Sequence, residues 1–583
     1  MRNSVKEQKR GYFILRRTFL FLLSITFSSM HVSAQFTKYI VRFKDKTGTP
    51  FSINDPSKFL SAKAIERRKK QHIPIDETDL PLVPAYIDSL KSVNHVTVLD
   101  VSRWFNQVCI ATTDSTALSK INSFSFVLKT EPVKRLINFN MAGRNESSNF
   151  VTRNKFNEQI KDVTSPLSPP VPGNYYSYGN SYDQIHIHNG EYLHNQGFRG
   201  QGMLIAILDA GFYHYKTLPA FDSINLNNQI IDTYDFVANE TSVDEDFYHG
   251  MMCFSIIAGN IPGQLVGTCP DAKFLLYRSE DDSSESPVEE QYWIAAAERA
   301  DSAGADIIST SLGYNLFDNP VFDYDYSEMN GKTTMIAKAA TLAARKGMIV
   351  LAAAGNEGEN SWHYIITPAD ADSIITVGAV NVAGTVASFS SYGPSSDGRV
   401  KPTEASVGWG TALSSTTGSI VTGNGTSFAT PNLAGLVTCL WQAFPEFTNM
   451  QIIEAVKKSS SIYNNPNDRI GYGISDFKKA FDDLSEQRAA INAASLLSKQ
   501  FIRVYPNPFK DKFTVAIKPQ ITSKATFKLF DAAGKYYFTK EVDLQEGVIQ
   551  TINFDQMQML QQGAYILKFT DQKNKKSFKL MVQ

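Results

Sequence analysis

Met203-Leu-Ile-Ala-Ile-Leu208, followed at once by Asp209-Ala-Gly211, is the stretch that decides the fold. Six apolar residues without alternation describe a strand buried on both faces, and such strands belong to parallel sheets covered by helices. Phe274-Leu-Leu-Tyr277, Asp306-Ile-Ile-Ser-Thr310, Met348-Ile-Val-Leu-Ala352 and Ile374-Ile-Thr-Val377 repeat the pattern. Between them, Glu289 to Ala303 and Thr334 to Lys346 have the Ala-rich composition of crossover helices. The expected class for residues 175–484 is therefore α/β, a doubly wound and mainly parallel sheet. Ligands in such folds sit beyond the carboxyl ends of the strands.

Outward from this region the character of the chain changes. Residues 35–140 read as a small α/β unit, with strands at Lys38–Phe43, His95–Leu99 and Phe124–Leu128 and a helix from Lys58 to Lys70. The basic cluster Arg67-Arg68-Lys69-Lys70 closes that helix, where its dipole favours cations, and reads as a solvated face. Residues 141–174, with Ser165-Pro-Leu-Ser-Pro-Pro-Val-Pro-Gly173, read as an extended, protease-accessible linker. A second linker is expected over 485–500. Residues 501–583 alternate in short segments, including Phe513–Ile517, Thr526–Phe530, Ala564–Phe569 and Phe578–Val582, as in a β-sandwich. Residues 1–34 read as an export signal: Arg2, Lys6, Lys9, Arg10, Arg16 and Arg17, an apolar run from Thr18 to Phe27, then Val32-Ser33-Ala34.

Composition narrows the function. Of 583 residues, 43% are hydrophobic and 20% charged, which excludes a largely disordered chain. Lys+Arg at 57 against Asp+Glu at 58 leaves no basic excess for a nucleic-acid groove. Four Cys without a C-x-x-C pair exclude a disulfide framework and a zinc ribbon.

Three segments place a reactive side chain at a strand end or helix start. Asp209 ends a buried strand, His249-Gly250 opens an apolar helix, and Ser427 stands in Gly423-Asn-Gly-Thr-Ser427-Phe-Ala-Thr-Pro431. Ser427 at a helix amino end meets free N–H groups that favour developing negative charge. Pro431 is expected in the first turn of that helix. Taken singly, each has a bland reading as turn residue, structural histidine or helix cap.

Together, in the order Asp, His, Ser, the segments resemble the signature motifs of the subtilisin-like serine proteases. Ala352-Ala-Ala-Gly-Asn356 is similar to that family's oxyanion segment, and Ser311-Leu312-Gly313 to its substrate-binding strand. The resemblance implies that Ser427 is the nucleophile, His249 the general base and Asp209 its orienting carboxylate. It implies Asn356 with the Ser427 N–H as the oxyanion hole, where one lost donor costs about 10²–10³ in kcat. It also implies Ser311, Leu312, Gly313, Ala353, Ala354 and Gly355 as backbone rails for an extended substrate. Small residues on both rails suggest broad specificity with some taste for apolar or bulky residues.

The resemblance extends to the flanks. Residues 35–140, especially Tyr39-Ile-Val-Arg-Phe43, resemble the family's inhibitory propeptide, with the maturation cut expected between Glu131 and Tyr175. Val504-Tyr-Pro-Asn-Pro-Phe509, Leu529-Phe-Asp-Ala-Ala-Gly534 and Gly563–Phe569 resemble the sorting domain of type IX secretion. The expected protein is thus a secreted or surface-held serine endopeptidase made as a zymogen. Its expected partners are polypeptide substrates, its own propeptide and the type IX machinery, with no nucleic acid and a monomeric state. No cofactor is required; Asp244 and Asp246 offer oxygens for a structural calcium, without a clear ligand motif. Met251 replaces the family's usual Thr after His249-Gly250, and Cys253 follows on the same helix. Cys253 and Cys269 are either bridged or two buried free thiols. A catalytically silent surface binding protein on the same fold is the competing reading.

Overall fold

The computed structural model describes residues 36–135, 155–156, 158–163, 171–497 and 500–583. The export signal read over 1–34 and the Ser165–Pro170 part of the linker lie outside these residues. Among the described residues no helix is long and apolar enough to cross a membrane.

The centre is a seven-stranded sheet. Its strands are β1 (Leu204–Asp209), β2 (Ile230–Asp235), β3 (Lys273–Arg278), β4 (Ile307–Thr310), β5 (Ile349–Ala353), β6 (Ile375–Val380) and β7 (Glu404–Val407). They lie in the order β7-β6-β5-β4-β1-β3-β2, every neighbouring pair parallel. Helices α1 (His249–Ala258) and α4 (Thr426–Ala443) pack on one face, α2 (Val288–Ala303) and α3 (Met335–Arg345) on the other. Every residue of β1 is buried, which is why its sequence carries no alternation. Strands β2 and β7 escape the sequence reading. The first is a half-exposed edge strand, and the second, Glu404-Ala-Ser-Val407, buries polar side chains in place of an apolar run.

The N-terminal unit is a four-stranded antiparallel sheet in the order Thr97–Ser102, Gln107–Ala111, Phe36–Phe43, Val127–Arg135. The strand expected at Phe124–Leu128 begins at Val127 instead, because Phe124–Phe126 form the turn leading into it. Alternation in Phe36–Phe43 sends Tyr39, Val41 and Phe43 into the unit's own core and Ile40 against Val288 and Tyr292 of α2. One face therefore closes the unit and the other docks it on the domain built around the seven-stranded sheet.

Only half of the basic cluster of the helix Ala62–Lys70 is a solvated face: Lys69 and Lys70 are exposed, the two arginines are not. Arg67 and Arg68 are buried. Arg68 meets Asp79 at 2.7 Å and Asp301 of α2 at 2.8 Å. Arg67 also pairs with Asp301, Arg103 reaches it at 3.2 Å, and Lys346 holds Asp79 at 2.8 Å. Burial alone would raise the Asp301 carboxyl, but these three guanidinium groups hold it below its usual value. Removing one partner from such a network typically costs about 3–5 kcal/mol. Arg68→Ala is therefore expected to lower the urea midpoint of the full-length chain by a loss of that size, followed by Trp fluorescence. A change under about 0.5 kcal/mol, the size expected of an ordinary surface site, would mean the network does not hold the unit in place.

The 485–500 linker is also corrected. Residues Phe477–Leu496 form one helix, capped at its start by the Asp476 side chain on Lys479 N. Its end packs Ala493 and Leu497 against Ala516 of the C-terminal region, so it is a packed element of the fold. That region is a sandwich of a three-stranded and a four-stranded antiparallel sheet enclosing Phe509, Phe513, Phe527, Phe554 and Phe569.

Candidate active site

Asp209, His249 and Ser427 converge at the carboxyl edge of the sheet, from the end of β1, the start of α1 and the start of α4. His249 Nδ1 lies 2.6 Å from Asp209 Oδ1, which also accepts the Ala210 N–H at 2.8 Å. That approach depends on Gly250: a Cβ there would stand 2.7 Å from the Asp209 Cβ and 2.5 Å from the Gly211 carbonyl. Burial alone would depress the His249 imidazole, yet the Asp209 carboxylate, with Glu158 adding to it, holds it well above its usual value. His249 Nε2 has no hydrogen-bond partner among the described residues.

Helix α4 starts at Thr426, so Pro431 stands in the second turn and not the first. A proline there lacks the N–H that would bond the carbonyl four residues earlier, and that carbonyl belongs to Ser427. Two side chains take it instead: Ser311 Oγ donates to Ser427 O at 2.7 Å, and the Cys253 thiol at 3.4 Å. Pro431 thus frees the carbonyl that ties Ser427 to the end of β4 and to the helix carrying His249. Burial pushes the Cys253 thiol up to about 11, so it stays a neutral donor at pH 7. Cys269 faces a different partner, Cys439, at 3.6 Å between sulfurs, and all four thiols are free. The bridge considered between Cys253 and Cys269 is absent.

Asn356 is exposed, and its amide is oriented by Thr426. The Oδ1 accepts both the Thr426 N–H and the Thr426 hydroxyl, each at 2.9 Å. This pairing fixes which end of the amide is oxygen and leaves Nδ2 as a donor facing the turn at Gly425 before Ser427. Ser311-Leu312-Gly313 leave β4 and Ala353-Ala354-Gly355 leave β5, the two strands being neighbours. Cβ atoms at Gly313 and Gly355 would both press on Ile366, at 2.7 and 3.0 Å, so the glycines let both rails close over that residue. All but Ala354 line a groove of about 1460 Å³ together with Asn356, Thr426 and Ser427. That exceeds the ~300–1,000 Å³ of a small-molecule pocket and suits an extended peptide.

The linker reading of 141–174 needs correction where residues are described. Gln159–Asp162 pair antiparallel with Ile420–Asn424, the strand leading to Ser427. Glu158 Oε1 stands 3.3 Å from both Ser427 Oγ and His249 Nε2. The Phe156 ring packs on the His249 imidazole at 4.4 Å between centroids. These residues carry no motif, and the Pro/Ser-rich stretch beside them dominates the composition. Asp244 and Asp246, considered as calcium ligands, stand beside cationic side chains: Asp246 pairs with Arg278 at 3.1 Å and Asp244 faces Lys216 at 3.8 Å.

Fold and site together define a doubly wound α/β protein with an Asp-His-Ser constellation beside an oriented amide donor. The chain belongs to the subtilase family. The Subtilase family profile matches residues 200–473, that of the Peptidase S8 propeptide domain, Bacteroidota, 38–150, and that of the Secretion system C-terminal sorting domain 503–583. Subtilisin of Bacillus pumilus is 30% identical over 278 residues, covering 46% of this chain and 87% of its own. Subtilisin NAT of Bacillus subtilis subsp. natto is 30% identical over 282 residues, covering 47% of this chain; the chain spans 64% of that relative's length. The structure of MycP1 from the ESX-1 type VII secretion system overlaps with a TM-score of 0.42 at 21% identity, over 56% of this chain and 91% of its own. The family assignment rests on the sequence relatives and not on that overlap. The sorting domain marks the chain for secretion or the outer surface.

Proposed function

We propose that the chain is a serine endopeptidase made as a zymogen, exported through a type IX pathway and hydrolysing polypeptides through Asp209, His249 and Ser427. The observation that carries this reading is the Asp209–His249 hydrogen bond at one sheet edge, with His249 Nε2 and Ser427 Oγ both 3.3 Å from one Glu158 oxygen and Ser427 lining a peptide-sized groove beside the Asn356 donor. Once the Glu158 carboxylate leaves, Ser427 Oγ attacks the substrate carbonyl while His249 Nε2 takes its proton. Asp209 keeps the other imidazole proton on Nδ1 and stabilises the imidazolium. The oxyanion is held by Asn356 Nδ2 and the Ser427 N–H at the start of α4. His249 then returns the proton to the leaving amine, and water repeats the sequence on the acyl-enzyme. These steps call on protein groups alone.

The N-terminal unit is docked through the Asp301 network, and beyond it in sequence Phe156 and Glu158 cover His249 and Ser427 while Gln159–Asp162 pair with the strand leading to Ser427, which fits an intramolecular inhibitor. Its maturation cut then falls close to Glu158, within the broader window expected from sequence. A fluorophosphonate probe tests the chemistry: the processed protein is expected to be labelled at Ser427. Absence of label from a processed, folded sample would instead favour a binding protein.

A further inference from the structure

The peptide path past the triad begins in an acidic pocket that the proposed chemistry does not use. Lys155, next to the residue stacked on His249, sends its ammonium among Glu280, Glu285 and Glu289. Nζ lies 2.6 Å from Glu289 Oε1 and 3.0 Å from Glu285 Oε2, touches Glu280, and donates to the carbonyls of Asp281 at 3.1 Å and Ser284 at 2.9 Å. The side chains of Glu280 and Glu289 are 1% and 0% exposed. Five oxygens converge on one nitrogen, which fits a compact ammonium better than a planar guanidinium.

The pocket is held by the peptidase domain itself. Glu289 sits in the first turn of α2, where the helix dipole favours a carboxylate, and its oxygens accept the N–H groups of Asp281 and Ser286 at 2.9 and 2.7 Å. Glu280 receives the buried Tyr314 hydroxyl. Carboxylate oxygens of the three acids lie within 4.8 Å of one another. When the segment carrying Lys155 departs, three buried acids lose their cation. Burial pushes Glu280 up to about 7 and Glu285 up to about 8 even with Lys155 in place, so the emptied acids hold protons that an entering ammonium displaces.

We propose that Glu280, Glu285 and Glu289 form a specificity subsite that selects a lysine side chain in substrates, at the position just before the residue that packs on His249. The inference rests on the endopeptidase reading and deepens it. The occupant seen is an ammonium, and it arrives on the segment whose Glu158 side chain reaches Ser427 Oγ and whose residues Gln159–Asp162 pair with the strand leading to Ser427. Truncating one partner of a desolvated charge pair weakens recognition strongly, because the other charge stays buried and unpaired.

The test uses processed wild-type protein and two internally quenched peptides with the sequence of residues 154–163, one as it stands and one with Lys155→Gln. The lysine peptide is expected to be cleaved with kcat/KM at least about tenfold higher, a lower bound, since a site built to pair a polar group rejects an analogue lacking it by up to about 10⁴–10⁵. In a Glu280→Gln/Glu289→Gln variant that ratio is expected to fall toward one. Equal cleavage of both peptides by the wild type overturns the subsite and leaves the endopeptidase reading intact. Cleavage of neither by protein that a fluorophosphonate labels overturns the subsite as well. Cleavage of neither without labelling removes the reading beneath it.

Discussion

Ser427→Ala is expected to stay at full precursor length, and its turnover of any added peptide to fall by about 10⁶, the loss known for the same exchange in subtilisin. Both effects have one cause. The segment 155–162 already lies across the site, with Glu158 in reach of Ser427 Oγ and Gln159–Asp162 paired to the strand that leads into it. The cut that releases the N-terminal unit and the cut of a substrate would then use the same nucleophile. The two readouts separate the possibilities. A variant processed normally but inactive on peptides would assign maturation to another protease, and one processed and active would remove Ser427 from the chemistry. Gel mobility of secreted protein reads the first, and a quenched-peptide assay the second.

Asp209→Asn is expected to lower kcat by about 10⁴ with little change in the fold. The carboxylate accepts the hydrogen bond of His249 Nδ1–H at 2.6 Å, which leaves Nε2 free to take the serine proton. An amide donating to Nδ1 would favour the tautomer with hydrogen on Nε2, where no base remains. A pH signature accompanies the loss. Against burial, which lowers it, Asp209 is the main group holding the imidazole above its usual value. His249 is useful only when neutral, so activity disappears as pH falls through its pKa, and removing the carboxylate moves that acidic limb to lower pH. A pH profile of kcat for the processed variant checks the direction. An unshifted limb, or a loss under about tenfold, would mean that Asp209 neither orients nor charges the imidazole.

Some corrections share a physical origin. Arg67 and Arg68 carry the local signature of a solvated helix end, yet they are buried because Asp301 and Asp79 meet them from elsewhere in the chain. Pro431 fits a first helical turn by rule, but α4 starts five residues earlier, and the carbonyl it frees is taken by Ser311 and Cys253. The acidic run Ser279-Glu-Asp-Asp-Ser-Ser-Glu-Ser-Pro-Val-Glu-Glu290 carries no motif in one dimension. Folding gathers Glu280, Glu285 and Glu289 around the ammonium of Lys155, another residue without any motif.

Read alone, the sequence determined the buried parallel strands and the crossover helices, and it singled out Asp209, His249, Ser427 and Asn356 as candidates. Continuous apolar runs and small residues at strand ends are local patterns, and local patterns survive in one dimension. Tertiary structure alone decided what fills the groove, what holds the N-terminal unit and which charges lie out of water. Those outcomes depend on contacts between residues far apart along the chain, whose energies arise only when burial strips solvent from both partners at once.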